Sequence, residues 1–145
     1  MVNDHWRLAL EINCTFVHLG QEDMDGADFG ALRSAGVRFG LSTHDPAELD
    51  RALALDPTYV ALGPVYPTKL KQMKWAPQGL DRVRDWKVRT GAVPLVGIGG
   101  LTPDRLPGLF AAGADSAAVV TDIEQAADPA ARCREWIAAT RGYLR

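Results

Sequence analysis

Acidic and amide side chains near the start of this 145-residue chain could hold a metal ion. Asn3 and Asp4 stand together, and Asp23 ends the polar run HLGQED at residues 18–23. Mg²⁺ prefers carboxylate oxygens and keeps several waters in its shell. Asp4 and Asp23, on neighbouring loops, could therefore share one Mg²⁺ ion. The structural alternative is that Asn3 and Asp4 cap a helix and that Asp23 is a solvated loop acid.

Hydroxyl groups and cations follow two further apolar runs. Ser42 begins the run STHD at residues 42–45, whose aspartate is typical of a helix N-cap, which leaves Ser42 to donate to a ligand. The run GPVYPTKLK at residues 63–71 is stiffened by proline and ends in a hydroxyl and two lysines. Lysine is a compact point charge that suits phosphate, so we expect one of these lysines to face a diphosphate. An exposed basic turn is the alternative.

Glycine-rich backbone later in the chain is typical of a phosphate site. The run GIGG at residues 97–100 ends an apolar stretch and leads to a helix expected near Pro103. Backbone N–H groups and the helix dipole favour anions at such a position. Residues 119–121 lead from the next apolar run into its loop and could add a second set of amides, as in barrels that bind phosphate after their last two strands. The sequence therefore predicts phosphate binding by these two loops.

Short apolar runs alternate with amphipathic stretches, and this alternation positions the polar groups. Strands are predicted at residues 15–19, 37–41, 59–63, 94–98 and 117–120. Helices are predicted at about residues 4–12, 27–35, 46–55, 79–89, from 103 onward, and 129–140. The alternation implies parallel strands of the α/β class, with ligands bound after the strands. A doubly wound sheet and a (β/α)8 barrel both fit, although a complete barrel usually needs about 200 residues or more.

Bulk properties are those of one ordinary globular domain covering residues 1–145, with 47% hydrophobic residues, 23% charged residues and a net charge of −2. Such a charge excludes nucleic acid and anionic membrane as general partners. No apolar run approaches the roughly 20 residues that span a bilayer. Cys14 and Cys133 lack metal-ligand spacing and are expected to be reduced thiols. A cytoplasmic protein that binds small molecules is predicted.

Taken in order, these motifs resemble the thiamine phosphate synthase family of (β/α)8 enzymes. Seven runs carry the resemblance: ND from residue 3, HLGQED from 18, STH from 42, GPVYPT from 63, APQGL from 76, GIGG from 97 and GAD from 113. The resemblance covers essentially the whole chain. It implies a partial TIM barrel that lacks the first two to three strands of the family.

The resemblance also implies a role for each candidate residue. Asn3 contacts a pyrimidine diphosphate, Asp4 and Asp23 hold the Mg²⁺ that bridges its phosphates, and Ser42 and Lys71 bind the same diphosphate as the catalytic residues. The site for a thiazole phosphate is lined by Thr68, Gly100, Val120 and Thr121. The implied reaction releases diphosphate and leaves a pyrimidine-stabilised carbocation, which the thiazole nitrogen captures to form thiamine phosphate. No Ser-His-Asp or Cys-His arrangement is needed.

The chain departs from the family pattern in two ways. The family's Thr-x-Thr-Lys reads TKLK at residues 68–71, so Leu70 replaces a hydroxyl. The family's Gln-x-Arg-x-Lys segment, which grips the pyrimidine and its diphosphate, is missing with the first strands. A truncated chain is therefore expected, with a half-barrel that dimerises as the alternative. Two other functions stay open: a thiazole tautomerase-like enzyme, and a non-catalytic phosphate-binding fragment.

Overall fold

Strands and helices alternate along the chain in the computed structural model, which describes residues 1–68 and 75–143. The strands are β1 Val2–Asn3, β2 Phe16–Leu19, β3 Arg38–Thr43, β4 Tyr59–Leu62, β5 Leu95–Ile98 and β6 Ser116–Ala118. The helices are α1 Trp6–Glu11, α2 Gln21–Met24, α3 Phe29–Ser34, α4 Pro46–Leu53, α5 Gly79–Thr90, α6 Leu106–Ala111, α7 Thr121–Glu124 and α8 Pro129–Thr140. Short 3-10 turns cover Pro103–Arg105 and Arg141–Tyr143. Strand β2 is parallel to both β1 and β3, and β5 is parallel to β6, which confirms the α/β class.

Aspartate side chains set where three of the helices begin. Asp28 accepts the Ala31 N–H at 2.8 Å before α3. Asp45 accepts the Glu48 N–H at 2.9 Å before α4, which confirms the N-cap predicted there. Asp128 caps α8 in the same way. Each carboxylate satisfies a backbone donor that the first turn leaves without a partner inside the helix.

The start of the chain differs from its prediction, because residues 2 and 3 form a strand. Val2 pairs with Val17 and Asn3 with His18, so β1 runs parallel to β2. His5, rather than Asn3 or Asp4, occupies the N-cap position of α1, and the capping alternative for those two residues is wrong. A two-residue strand carries no periodic signal of its own, since pairing with a distant strand is what defines it.

Three further differences from the sequence prediction affect candidate site residues. Ser42 and Thr43 lie inside β3 rather than after it, and the Thr43 hydroxyl is buried and donates to the Ala61 carbonyl at 2.9 Å. The acidic residues expected in a loop form the short helix α2. Val119 and Val120 follow β6 instead of ending it.

Backbone contacts divide the chain into two units, and the first contains residues 1–61 with 92–94. In this unit β2 and β3 are parallel, with His18 opposite Gly40. Val17 and Leu19 are fully buried, whereas Phe16 and His18 on the opposite face of β2 are only half-buried. Alternate residues of a strand point to opposite faces, so one face of β2 supplies the core and the other presents side chains for chemistry.

The second unit contains residues 62–91 and the described residues from 95 onward. Its strands β5 and β6 are parallel, with Ile98 opposite Ala118. A Cβ on Gly97 would lie 2.6 Å from the side chain of Leu109, so the glycine allows α6 to pack closely on β5. Asp115, in the GAD run, accepts the Leu95 N–H at 2.8 Å and pairs with Lys87 at 2.7 Å. The GAD run therefore holds the first residue of β5 in place through Asp115.

Three other expectations concern the cysteines, membrane-spanning helices and the number of domains. Cys14 and Cys133 are both free and half-buried, as predicted for reduced thiols. Within residues 1–68 and 75–143, no helix combines the length and the apolar character that crossing a membrane requires. The single domain over residues 1–145 stays a prediction.

Candidate functional site

Asp4 follows β1 in a backbone conformation that few residues other than glycine adopt. Its φ angle is +65°, in the left-handed region. Its N–H donates to the His18 carbonyl at 2.8 Å, so the ladder between β1 and β2 holds it there. Left-handed backbone costs a residue with a side chain about 1–2 kcal/mol, although aspartate and asparagine tolerate it better than most. Strain of this kind is concentrated at functional sites, which agrees with the role predicted for Asp4.

Asp4 and Asp23 line the same cavity, which has a volume of about 500 Å³. Asp23 lies in α2, where its Oδ2 accepts the Gly20 N–H at 3.1 Å. This contact holds the carboxylate at the start of the helix that follows β2. Glu11 and Glu22 line the cavity as well, so its wall is rich in carboxylates. The fold thus brings together the two acids that the sequence analysis paired.

The donors of this cavity fit Mg²⁺. This ion is commonly bound by one or two carboxylates, with waters and substrate phosphates completing its shell. Asp4 and Asp23 supply two such carboxylates on one cavity. In the part of the chain that the structure describes, no group of three or more His, Cys, Asp or Glu side chains is arranged to hold a metal. Two carboxylates on one cavity are the number of protein ligands that a magnesium site completed by waters and substrate phosphates commonly has.

Ser42 lies in β3 and is tied to two residues of the HLGQED run. Its Oγ is 2.8 Å from Nε2 of His18. Its carbonyl oxygen accepts from Nε2 of Gln21 at 2.6 Å. His18 Nδ1 in turn lies 2.7 Å from the Tyr59 hydroxyl. Burial lowers the pKa of the His18 imidazole below its ordinary value, an effect partly opposed by the charge of Asp23.

The predicted diphosphate residues of the first unit share His18 as a neighbour. Asn3 is exposed at the end of β1 and is the strand partner of His18. The backbone of Asp4 bonds to the carbonyl of His18, and the side chain of Ser42 bonds to its ring. Lys71, the remaining predicted diphosphate contact, lies outside the described residues, as do Lys69 and Leu70.

Two of the loops predicted to bind thiazole phosphate pack against each other in the second unit. The Val65 N–H donates to the Ile98 carbonyl at 2.9 Å, and the Tyr66 N–H donates to the Gly99 carbonyl at 3.0 Å. Gly100 has a φ angle of +65°, and a Cβ there would lie 2.4 Å from the Pro67 carbonyl oxygen. The loop that contains Pro67 and Thr68 and the loop that contains Gly100 are therefore in direct contact.

The third predicted phosphate loop follows β6, the strand next to β5. Val120 is exposed, and Thr121 begins the four-residue helix α7. Because β5 and β6 are parallel, the segments after them leave the same edge of the sheet. This arrangement agrees with the predicted pairing of the two loops.

The contacts of two residues at these sites are not signalled by the sequence. The guanidinium of Arg105 donates to the Gly100 carbonyl and lies 4.5 Å from the ring centroid of Tyr66. A cation shortly after a glycine-rich loop is the only local signal that could have drawn attention to it. Tyr59 gave no such signal, since its contact with His18 joins two strands that are far apart in sequence.

Comparison with known proteins agrees with the motifs. The model of the family described as thiamine monophosphate synthase matches residues 1–123. Thiamine-phosphate synthase of Rhizobium etli is 61% identical over 140 residues, covering 97% of this chain and 69% of that protein. Thiamine-phosphate synthase of Neisseria meningitidis serogroup B is 50% identical over 130 residues, covering 90% and 63%. The solved structure of thiamine phosphate pyrophosphorylase from Pyrococcus furiosus has a TM-score of 0.83 at 27% identity, covering 99% and 68%.

The chain thus spans about two thirds of the length of these relatives. The structural likeness confirms the predicted fold class, part of a (β/α)8 barrel. The family resemblance predicted from seven short runs is likewise confirmed, since the similarity extends through nearly all of the sequence. The chain belongs to the thiamine monophosphate synthase family.

Proposed function

We propose that this chain carries out the thiamine-phosphate synthase reaction, a transfer that joins 4-amino-2-methyl-5-pyrimidinylmethyl diphosphate to thiazole phosphate and releases diphosphate. The names of its relatives support this reaction. The observation that carries it is the cavity that Asp4 and Asp23 line together. A thiazole tautomerase has no need of such a carboxylate pair, so the synthase is favoured over that alternative.

The first unit would bind the diphosphate group. Asp4 and Asp23 would hold Mg²⁺, which supplies positive charge for the developing negative charge of the leaving group. Ser42 would donate its hydroxyl hydrogen to the diphosphate, and Asn3 would contact the same substrate from the end of β1. Lys71 remains a predicted diphosphate contact of the catalytic set.

The proposed reaction needs the protein to align the two substrates and to stabilise the charge of the leaving group. The bond between the pyrimidine methylene carbon and the diphosphate oxygen breaks, and its electron pair leaves with the diphosphate. The lone pair of the thiazole nitrogen then forms the new carbon–nitrogen bond. No proton is removed in either step, so no general base is required. Stabilising the leaving group and aligning the substrates supply the catalysis.

The second unit would bind the thiazole phosphate through Thr68, Gly100, Val120 and Thr121. The left-handed backbone at Gly100 and its contact with Pro67 support this assignment, because they fix the glycine-rich loop beside the segment that ends at Thr68. Backbone amides at the start of such loops are suited to phosphate oxygens. Arg105 adds a cation beside Gly100.

We place this reaction in the cytoplasm, where the two free thiols Cys14 and Cys133 would stay reduced. The proposed partners are the two small-molecule substrates. Action as a homo-oligomer, or together with a further N-terminal segment, stays a prediction.

Product formation from the two substrates is the direct test. The chain is incubated with both substrates and Mg²⁺, and thiamine phosphate is measured after oxidation to fluorescent thiochrome phosphate. We expect product, and we expect Asp4→Asn and Asp23→Asn each to lower its rate by about 100-fold or more, as the loss of an electrostatic stabiliser does. Asp25→Asn is the matched control, because Asp25 pairs with Arg51 at the surface at 2.6 Å. Absence of product from the unmodified chain, or full activity in both variants, would contradict the proposal.

A further inference from the structure

Three half-buried side chains from three strands form one chain of hydrogen bonds in the first unit. The hydroxyl of Tyr59 in β4 lies 2.7 Å from Nδ1 of His18 in β2. Nε2 of the same ring lies 2.8 Å from Oγ of Ser42 in β3. Ser42 is the proposed diphosphate ligand, whereas the proposed reaction assigns no role to Tyr59 or to the ring of His18.

A glycine makes this arrangement possible. Gly40 lies opposite His18 in the pairing of β2 with β3. A Cβ on Gly40 would stand 2.1 Å from Cζ of Tyr59, so the ring of Tyr59 lies where a side chain of β3 would otherwise be. The ring thereby reaches His18 and stacks on it, with 5.5 Å between centroids and 11° between planes. Phe16 stacks on the ring of Tyr59 as well, at 5.8 Å.

Hydrogen bonds in this chain can run in either direction. A neutral imidazole has one N–H donor and one acceptor nitrogen. If Tyr59 donates to Nδ1, then Nε2–H donates to Ser42, and the Ser42 hydrogen is left to donate elsewhere. In the reverse direction Ser42 donates to Nε2, and only its oxygen lone pairs face a ligand.

The acceptors around Tyr59 favour the first direction. In the reverse direction Nδ1–H would donate to the Tyr59 oxygen, and the protein acceptor then left within reach of the Tyr59 hydrogen is the sulfur of Met1 at 3.7 Å. A thioether is a weak acceptor, whereas a ring nitrogen at 2.7 Å is a strong one. The stronger acceptor thus favours donation from Tyr59 to His18, a direction that places the ring proton on Nε2.

We propose that Tyr59 and His18 are positioning residues, which fix the His18 ring as the Nε2–H tautomer and so direct the Ser42 hydroxyl hydrogen toward the diphosphate oxygen. An anion is bound by donors and repelled by lone pairs, so the direction of the chain decides whether Ser42 helps or hinders binding. This inference rests on the proposed function, because Ser42 must face the diphosphate for its orientation to matter.

Heteronuclear NMR that observes both nitrogens of His18 tests the first half of the proposal in the intact chain. We expect the Nε2–H tautomer in the unmodified protein. Tyr59→Phe keeps the stacked ring but removes the hydroxyl donor, so the Nδ1–H tautomer should become populated. Observation of the Nδ1–H tautomer in the unmodified protein, or of no change in Tyr59→Phe, would overturn the inference.

Binding of inorganic pyrophosphate with Mg²⁺, measured by calorimetry, tests the second half. In His18→Gln the new amide nitrogen can take the place of Nε2 and donate to Ser42, whereas in His18→Asn the side chain is too short to do so. We therefore expect His18→Asn and Tyr59→Phe to raise the dissociation constant about tenfold, as is usual for the loss of one hydrogen bond to a charged group. For His18→Gln we expect a dissociation constant within about threefold of that of the unmodified chain. Equal losses in His18→Gln and His18→Asn would overturn the positioning role.

Ser42→Ala separates a failure of this inference from a failure of the proposed function. If that variant binds pyrophosphate as well as the unmodified chain, the proposed contact between Ser42 and the diphosphate is wrong, and the inference falls with it. If Ser42→Ala weakens binding but the His18 tautomer is reversed, the contact stands and the inference alone is overturned. Thermal unfolding followed by circular dichroism shows whether each variant keeps its fold.

Discussion

The ring of Tyr59 lies against the backbone of Gly40, in the place that a side chain on β3 would fill. A Cβ on Gly40 would stand 2.1 Å from Cζ and 2.2 Å from Cε1 of that ring. No packed side chains approach so closely, so an alanine at position 40 and Tyr59 in its present place exclude each other. The absence of a side chain at Gly40 thus allows the hydroxyl of Tyr59 in β4 to reach His18.

Gly40→Ala should therefore destabilise the protein and displace Tyr59. Overpacking of this kind typically lowers the free energy of unfolding by about 1–3 kcal/mol, which urea denaturation followed by circular dichroism would measure. Gly26→Ala is the control, because a Cβ there meets nothing within 4 Å. Equal stability of the two variants would show that Tyr59 does not occupy this position.

The backbone at Asp4 allows the loss of its charge to be separated from strain. Asparagine tolerates the left-handed φ of +65° about as well as aspartate does. Asp4→Asn should thus keep its stability but bind pyrophosphate with Mg²⁺ at least about tenfold more weakly, since a metal ligand is lost. Asp4→Ala should lose the same affinity and about 1 kcal/mol of stability in addition. Calorimetry and urea denaturation measure the two effects.

Asn13→Ala is the matched control for strain at Asp4. Asn13 also has a left-handed φ, of +51°, but it does not line the carboxylate cavity. This variant should lose about 1 kcal/mol of stability and no affinity for pyrophosphate. Unchanged affinity in Asp4→Asn would remove Asp4 from the metal site.

Asp122 makes stability depend on pH in the second unit. It accepts from Nε of Arg132 at 2.8 Å and from Nε1 of Trp136 at 2.7 Å, which joins α7 to α8. The hydrogen bond from Arg132 holds the pKa of Asp122 below its ordinary value of 3.8. A lowered pKa in the folded state contributes stability above the ordinary pKa, and this contribution is lost as the pH falls through the folded-state pKa.

Asp122→Asn should accordingly lower the free energy of unfolding by about 1 kcal/mol at neutral pH, as the loss of a charged hydrogen-bond acceptor does. The difference from the unmodified chain should shrink as the pH falls below the ordinary pKa of 3.8. Urea denaturation at a series of pH values measures it. Glu135→Gln is the control, since Glu135 pairs with the same Arg132 at a more exposed position and should have little effect. A difference that stays constant down to the lowest pH would contradict the assignment.

Gly100→Ala should disturb the proposed phosphate loop. A Cβ there would meet the Pro67 carbonyl oxygen at 2.4 Å, so the backbone of one of the two loops must move. We expect the affinity for inorganic phosphate or thiazole phosphate, measured by calorimetry, to fall about tenfold or more, because a misplaced amide no longer binds the anion. Gly79→Ala is the control for backbone strain. Gly79 also has a left-handed φ, of +71°, but no atom lies within 4 Å of the new Cβ. Equal affinities in the two variants would argue against phosphate binding at Gly100.

Local features of the fold were accessible from the sequence. The helix predicted at residues 129–140 is α8 Pro129–Thr140, because an aspartate cap and a proline mark its start. The cap at Asp45 was predicted on the same grounds. By contrast β1 was missed and β3 is longer than predicted, since both are defined by pairing with strands elsewhere in the chain.

The sequence by itself determined the family, the alternation of strands and helices, and the chemical groups near the strand ends, because residue type and local spacing carry those properties. Only the tertiary structure decided that Asp4 and Asp23 line one cavity and that Tyr59 reaches His18 and Ser42. The physical reason is that such contacts depend on strand register and on the space left by Gly40, and each arises between residues that are distant along the chain. The sequence identifies the side chains that can do chemistry, and the pairing of the strands determines the distances between those side chains.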